Sequence, residues 1–131
     1  MRDGFVKVAA ATLNTKVADV EHNKREIFRL IDETIENGAK IVVFPELCIT
    51  GYTCGDLFSQ DILLSQSAKA LEEIAAYTTG KDGLFFVGLP YVVCNKLYNV
   101  AAAVCDGEVI GMVTKTFLPN YSEFYEMRQF Q

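Results

Sequence analysis

Two charged residues of this 131-residue chain stand where apolar segments end, and their types suit acid–base chemistry. Glu46 follows an apolar run and a proline, and Lys115 ends the apolar run VIGMVTK. Open α/β sheets place their functional groups at the carboxyl ends of strands. A carboxylate partly desolvated by Phe44 and Leu47 would suit a general base, and a half-buried ammonium can stabilise an oxyanion. The ordinary alternative is a solvated loop acid and a surface lysine.

The segment NYSEFYEMR supplies a second group of candidates. Glu123 and Glu126 flank aromatic residues there, and a carboxylate near Lys115 could pair with it and fix its position. A small-molecule pocket combines apolar walls with a few polar groups. Its walls could include three aromatic residues of this segment, Tyr121, Phe124 and Tyr125. The alternative for the same residues is a solvated loop or simple aromatic packing.

The cysteines and the histidine give little support for a metal site or a nucleophile. The four cysteines, two in a predicted loop and two on predicted strands, are Cys48, Cys54, Cys94 and Cys105. No pair has C-x-x-C spacing, and His22 is far from all of them in sequence, so a zinc site is poorly supported. None has an adjacent basic residue, so we expect small buried hydrophobic side chains rather than reactive thiolates. Phosphate-loop, Rossmann and serine-hydrolase signatures are absent.

Hydropathy and turn residues predict the elements that must position these groups. In order, they are a buried strand over 5–12, a helix capped by Asp19 and ended by Asn37-Gly38, a buried strand over 41–44, a loop over 46–59, a helix over about 60–78, a buried strand over 84–90 and strands joined by turns over 91–115. The expected apolar face of the second helix comprises Ile62, Leu63, Leu71, Ile74 and Ala75. Asp106-Gly107 predicts a hairpin. This order indicates an α/β or α+β fold with helices packed on a sheet.

Composition limits the class of protein. The chain is 50% hydrophobic and 22% charged, which excludes a disordered or collagen-like polypeptide and fits one domain. Its net charge of −5 argues against nucleic acid or an anionic membrane as the main partner. No apolar run approaches the length of a transmembrane helix, and the first residues do not read as a signal peptide. We therefore expect a cytoplasmic protein.

Two sequence segments carry a family resemblance. FPELCITGY places a glutamate after a short strand, and TKTFLPNYSEF places a lysine after a later one. Together they resemble the nitrilase superfamily of carbon–nitrogen hydrolases, whose members use a Glu–Lys–Cys triad in that chain order. FPELCITGYTCGDLF and KTFLPNYSEFYEMRQF are most similar to the branch that forms the glutaminase domain of glutamine-dependent NAD synthetases. The resemblance covers the whole chain and implies an α-β-β-α sandwich, here incomplete, with two helices on a mixed sheet.

The resemblance assigns roles to individual residues. Glu46 matches the general base, and Lys115 matches the lysine that steadies the tetrahedral intermediate. Glu123 falls at the position of a second, supporting glutamate. Tyr121 and Phe124 match positions that line the glutamine pocket.

The chain departs from the family pattern at the nucleophile. The family's cysteine follows the lysine by several strands, whereas all four cysteines here precede Lys115. We therefore expect residues 1–131 to be the N-terminal portion of the glutaminase domain, without turnover of its own. The implied substrate is glutamine, with no cofactor in this portion. The resemblance also implies that ATP and Mg²⁺ serve a synthetase domain elsewhere in a homo-oligomeric parent.

Two other functions remain open from the sequence. One is a stand-alone amidase or nitrilase, and the other is a non-catalytic α/β module that binds partners through its aromatic C-terminal segment. An enzyme requires the side chains of Glu46 and Lys115 to converge within several Å beside a pocket. In an interaction module they would lie far apart and exposed. A partial domain would also expose apolar surface, which predicts self-association or poor solubility.

Overall fold

The computed structural model describes residues 3–122 and 124–131. In this part of the chain, two helices pack on a five-stranded mixed sheet, so the predicted α/β class is confirmed. The elements are β1 (Val8–Ala10), α1 (Val20–Glu36), β2 (Ile41–Val43), α2 (Asp61–Tyr77), β3 (Leu84–Val93), β4 (Lys96–Cys105) and β5 (Glu108–Thr114), with 3₁₀ turns at Gly55–Ser59 and Glu126–Arg128. None of the described helices has the length and apolar character needed to cross a bilayer.

The strands of the sheet follow the chain in the order β1-β2-β3-β4-β5. The first three strands are parallel, and β3, β4 and β5 form an antiparallel meander. Both helices belong to the parallel half, where a helical crossover connects successive strands. Alternate strand residues point to opposite faces, so Val42, Phe85 and Val87 enter the same core as Ile27 and Ile74.

The ends of α1 lie where the sequence predicts them. The Asp19 carboxylate accepts a hydrogen bond from the backbone N–H of His22 at 3.0 Å, which caps the first turn. At the other end, Asn37 is the C-cap residue and Gly38 takes a φ of +83°. Glycine adopts this left-handed conformation at little cost, so the helix ends there. The hairpin predicted at Asp106-Gly107 also joins β4 to β5 as expected.

Three sequence-based predictions are wrong in detail. The strand predicted over 5–12 is shorter and largely exposed, because β1 pairs only with β2 at the sheet edge. Ile62 is exposed at the start of α2, although the other four residues of its predicted apolar face are buried. Cys94 lies in the turn between β3 and β4 rather than on a strand.

The segment after β2 is held between α1 and β3. The buried Asn23 of α1 donates hydrogen bonds to the carbonyl oxygens of Lys16 (2.8 Å) and Ile49 (3.0 Å). It also accepts one from the Lys16 N–H at 2.8 Å. Because its polar groups are paired, this side chain joins two loops to the helix without leaving an unsatisfied group in the core.

The backbone of β3 passes very close to residues 45–47. A Cβ added at Gly88 would lie 2.4 Å from the backbone nitrogen of Leu47 and 2.9 Å from the carbonyl oxygen of Pro45. Leu47 itself adopts a left-handed φ of +51°, which costs a non-glycine residue free energy. Glycine in a strand commonly marks such an approach between backbones. The lack of a side chain at Gly88 therefore permits this close approach, which positions the backbone of residue 46.

Gly88→Ala is expected to destabilise the protein, by about 2–3 kcal/mol, because backbone atoms on both sides must move to admit the methyl group. The free energy of unfolding, measured in urea, tests this. The matched control is Gly111→Ala on β5, where an added Cβ meets nothing within 4 Å. That change is expected to stay within about 0.5 kcal/mol of the parent. Equal effects of the two substitutions would contradict the close approach.

Candidate active site

Glu46 and Lys115 meet at one edge of the sheet. Their order in the sheet explains why, because β5 is antiparallel to β4 and β4 to β3, so that β5 runs parallel to β2. The carboxyl ends of β2 and β5 therefore lie at the same edge. The Lys115 Nζ donates a hydrogen bond to Glu46 Oε1 at 2.7 Å. The two side chains are in direct contact, which is the arrangement that the enzyme hypothesis requires.

Asn99 on β4 contacts both Glu46 and Lys115, a role that was not predicted from the sequence. Its Nδ2 donates to Glu46 Oε1 at 2.5 Å, and its backbone carbonyl accepts from the N–H of Lys115 at 2.8 Å. The side chain is buried. A polar residue within the otherwise apolar segment NVAAAV was the available signal, since buried amides are kept where they have partners. Asn99 therefore orients the glutamate and fixes the lysine backbone.

A second carboxylate reaches the same lysine. Lys115 Nζ donates to Glu126 Oε1 at 2.9 Å, and the Tyr52 hydroxyl donates to the same oxygen at 2.8 Å. Glu126 begins the second 3₁₀ turn and is only 5% exposed. Glu126, which the sequence analysis considered together with Glu123, therefore pairs with Lys115. Glu123 lies outside the described residues, and its supporting role stays a prediction.

The charges around Lys115 keep it protonated. Burial by itself lowers the pKa of this lysine, but the hydrogen bonds and charges of Glu46 and Glu126 outweigh that effect, so its pKa lies above the ordinary value. The stabilisation from these contacts is therefore present at neutral pH and is lost only as pH rises through the raised pKa. The Glu46 side chain is 42% exposed, so part of it faces solvent beside β2 while the rest is covered.

The contact lies in the wall of an open groove with a volume of about 360 Å³. Most of the wall is apolar and comes from the sheet face opposite the helices, including Val43, Phe86 and Val113. The polar side chains of the wall are those of Glu46, Asn99, Thr114 and Lys115. A concave apolar surface with a few convergent polar groups is typical of a small-molecule site.

The predicted aromatic lining lies elsewhere in the structure. Tyr121 and Phe124 contact each other edge to face, with ring centroids 5.5 Å apart, and neither lines the groove. Tyr121 and Tyr125 are largely exposed. Their roles in binding glutamine stay predictions.

The buried cysteines are poor candidates for a nucleophile. Burial raises the pKa of Cys48 to about 12 and also raises the pKa of Cys54. Both thiols donate weak hydrogen bonds to backbone carbonyls, as expected of small buried side chains. Cys94 is exposed and Cys105 is partly buried, and neither lines the groove.

The described residues offer no cluster of metal ligands. No group of three or more His, Cys, Asp and Glu side chains in residues 3–122 and 124–131 could hold a metal ion. The Nε2 of His22 instead contacts the carbonyl oxygen of Asn14 at 2.8 Å.

Comparison with known proteins gives consistent matches over nearly the whole chain. The chain is 43% identical over 127 residues to a glutamine-dependent NAD(+) synthetase from Aquifex aeolicus, covering 97% of this chain and 22% of the relative. A protein of the same name from Mycobacterium tuberculosis is 36% identical, covering 96% and 19%. The chain thus spans about a fifth of the length of the curated relatives it matches.

Solved structures share the fold. The crystal structure of a glutamine-dependent NAD(+) synthetase from Cytophaga hutchinsonii matches with a TM-score of 0.91 and 36% identity, covering 96% of this chain and 21% of that one. An amidase from a Nesterenkonia species matches with a TM-score of 0.79 at 20% identity, covering 97% and 49%. At that identity the amidase supports the nitrilase-like fold alone.

A family model also covers the elements that build the groove. The model described as carbon-nitrogen hydrolase matches residues 7–128, which include every strand and both helices. The strands that carry Glu46 and Lys115 to one sheet edge are thus part of the common architecture. This chain belongs to the carbon–nitrogen hydrolase family.

Proposed function

We propose that this chain supplies the glutamate and the lysine of a glutaminase site. In the whole protein, that site hydrolyses the side-chain amide of glutamine and provides ammonia for ATP-dependent synthesis of NAD from nicotinic acid adenine dinucleotide. The observation that carries the proposal is the 2.7 Å contact between Lys115 Nζ and Glu46 Oε1 in the wall of an apolar groove. The 43% identity to a glutamine-dependent NAD(+) synthetase supports the choice of substrate.

The geometry suits a division of roles between the two side chains. Glu46 takes the proton of a cysteine thiol as the sulfur attacks the amide carbon, and it then passes that proton to the departing ammonia. Lys115 places positive charge where the carbonyl oxygen becomes an oxyanion. Water then attacks the thioester carbon and gives a proton, by way of Glu46, to the departing sulfur, which releases glutamate and restores the thiol. The solvent-facing side of Glu46 leaves its carboxylate open to the groove.

The thiol in this proposal is a cysteine other than the four in this chain. Cys48 and Cys54 are buried with raised pKa values, and Cys94 and Cys105 are not part of the groove wall. A nucleophilic cysteine instead requires an accessible, electropositive setting that favours the thiolate.

The two alternatives from the sequence have less support. A stand-alone amidase is favoured only by fold matches of about 20% identity, whereas the relatives above 30% identity are named NAD synthetases. An interaction module would leave Glu46 and Lys115 apart in solvent. Their contact, and the buried Asn99 that supports it, favour the enzyme hypothesis.

The purified 131-residue chain is expected to show no glutamine hydrolysis, because without a suitable thiol no covalent intermediate forms. Ammonia release measured with a coupled dehydrogenase assay tests this, with the Aquifex aeolicus enzyme as the positive control. Hydrolysis by the chain above the buffer rate, lost on Glu46→Gln, would show that the nucleophile is one of its own cysteines.

Thiol labelling is expected to distinguish the cysteines at neutral pH. Cys94 should react with iodoacetamide while Cys48 stays unmodified, because a thiol with a pKa of about 12 has almost no thiolate at pH 7 and is buried. Peptide mass spectrometry after timed labelling measures both rates, and labelling in denaturant is the control. Equal rates in the folded chain would contradict the burial of Cys48.

Glu46→Gln and Lys115→Met are expected to abolish the use of glutamine, each by a factor of about 100 or more. The test uses a chimera in which this chain replaces the matching segment of the Aquifex aeolicus enzyme, with NAD formation measured from glutamine and from ammonium salt. Glu72→Gln, on the exposed side of α2, is the matched control. Activity with ammonium salt reports folding. A variant that still uses glutamine at the parental rate would refute its proposed role.

A further inference from the structure

The carboxylate of Glu46 receives its hydrogen bonds on a single oxygen. Lys115 Nζ donates to Oε1 at 2.7 Å, and Asn99 Nδ2 donates to the same atom at 2.5 Å. Within the part of the chain that the structure describes, no hydrogen bond reaches the other oxygen, Oε2. The two oxygens therefore have different surroundings, and this difference bears on how the group moves a proton.

The number of lone pairs separates the roles of the two oxygens. Each oxygen of an ionised carboxylate has two lone pairs that can accept hydrogen bonds. On Oε1 of Glu46 both are occupied, one by the ammonium of Lys115 and one by the amide of Asn99. A proton can reach Oε1 only if one of these donors leaves, whereas Oε2 can accept a proton while both donors stay in place.

Asn99 is a fixed donor, because the sheet holds it on both sides. The residue is 4% exposed, and on β4 it lies opposite Pro90 of β3. On the other side, its backbone carbonyl accepts a hydrogen bond from the N–H of Lys115 at 2.8 Å. Burying an amide is costly unless it is hydrogen-bonded, and the bond that its Nδ2 makes is the one to Glu46. The polar side chain in this apolar strand is therefore explained by the carboxylate that it contacts.

The absence of charge on the amide suits a partner of a general base. When Glu46 accepts a proton, it loses its charge and its attraction for the ammonium of Lys115 weakens. An amide N–H donates to a carboxylate oxygen and also to the carbonyl oxygen of a protonated carboxyl group, so the Asn99 contact survives in both states. A second cation at this position would favour the ionised form and oppose proton uptake. Asparagine therefore holds the group throughout the reaction without opposing its chemistry.

We infer that Glu46 accepts and returns the proton through Oε2, and that Asn99 is the positioning residue that keeps Oε1 out of the reaction. In the first step the thiol S–H bond breaks and an O–H bond forms at Oε2, while sulfur bonds to the amide carbon and the carbonyl electrons move to oxygen. In the second step the oxyanion re-forms the carbonyl, the carbon–nitrogen bond breaks, and the proton on Oε2 passes to the departing nitrogen. This inference rests on the proposed glutaminase function, but the contact between Asn99 and Glu46 can be tested without activity.

The first test measures the contact in the 131-residue chain. Nuclear magnetic resonance of the ¹⁵N-labelled chain resolves the side-chain amide of Asn99, which is assigned by its loss in Asn99→Ser. Glu46→Ala is expected to shift this amide resonance towards that of a solvated asparagine, because a charge-assisted hydrogen bond is lost. Glu72→Ala removes the same charge from the exposed side of α2 and is expected to leave the resonance in place. An amide resonance that is the same in Glu46→Ala and in the parent overturns the proposal.

The second test measures the consequence in the chimera. Asn99→Asp keeps the shape of the side chain but replaces its donor by a second carboxylate. It is expected to lower kcat with glutamine by a factor of about 100, with KM and activity on ammonium salt kept, because a displaced Glu46 impairs the chemical step. Asn95→Asp, in the exposed turn between β3 and β4, is the matched control and should keep the parental kcat. A parental kcat in Asn99→Asp overturns the positioning role.

A second variant covers a loss of folding, which would appear as a loss of activity on ammonium salt. Asn99→Ser is a smaller change that also withdraws the amide donor, and it is expected to lower kcat with glutamine by a factor of about 10. A parental kcat in this variant likewise overturns the positioning role.

The third test identifies the oxygen that acts as the base. In a crystal structure of the chimera with glutamine, its own nucleophilic cysteine replaced by alanine, the amide nitrogen of glutamine is expected within about 3.2 Å of Oε2. A nitrogen placed instead on the oxygen that Asn99 contacts overturns the assignment. If Glu46→Gln leaves glutamine use intact, the proposed function fails, and the amide resonance still decides whether Asn99 holds Glu46.

Discussion

The contact between the Lys115 ammonium and the Glu46 carboxylate is the interaction on which the functional interpretation depends. It joins residues 69 positions apart and forms because β2 and β5 point the same way in the sheet. Asn99, on the strand between β3 and β5, donates to the glutamate and accepts from the lysine backbone. The antiparallel meander therefore does more than extend the sheet, because it reverses the chain twice to bring the lysine to the correct edge.

The backbone near Glu46 is restrained as strictly as its side chain. Gly88 allows β3 to approach residues 45–47, and the left-handed Leu47 turns the chain away immediately after the glutamate. Strained backbone persists where the surrounding structure determines it, and functional sites are common locations for it. Asn23 contributes from the other side by holding the carbonyl of Ile49. The position of the carboxylate is thus set by packing as well as by its charged partner.

The apolar sheet face beside this contact gives the groove its character. Val43 and Val113 line it and remain exposed in the described chain. Exposed apolar surface of this kind favours association with other surfaces, which is the basis for the predicted self-association. The chain also spans only about a fifth of the curated relatives it matches. In the proposed glutaminase function, this groove is one wall of the site, and Glu46 and Lys115 are its charged groups.

Short-range features of the sequence determined the ends of the first helix, the last hairpin and the two charged candidates of the site. Asp19 and Gly38 set the ends of α1, Asp106-Gly107 set the last hairpin, and the apolar runs ending at Glu46 and Lys115 marked the two charged candidates. These features depend on neighbours within a few residues. Tertiary structure decided the contact of Glu126 with Lys115, the role of Asn99 and the exposure of β1. Each depends on strand order and on contacts between distant segments, to which local hydropathy is insensitive.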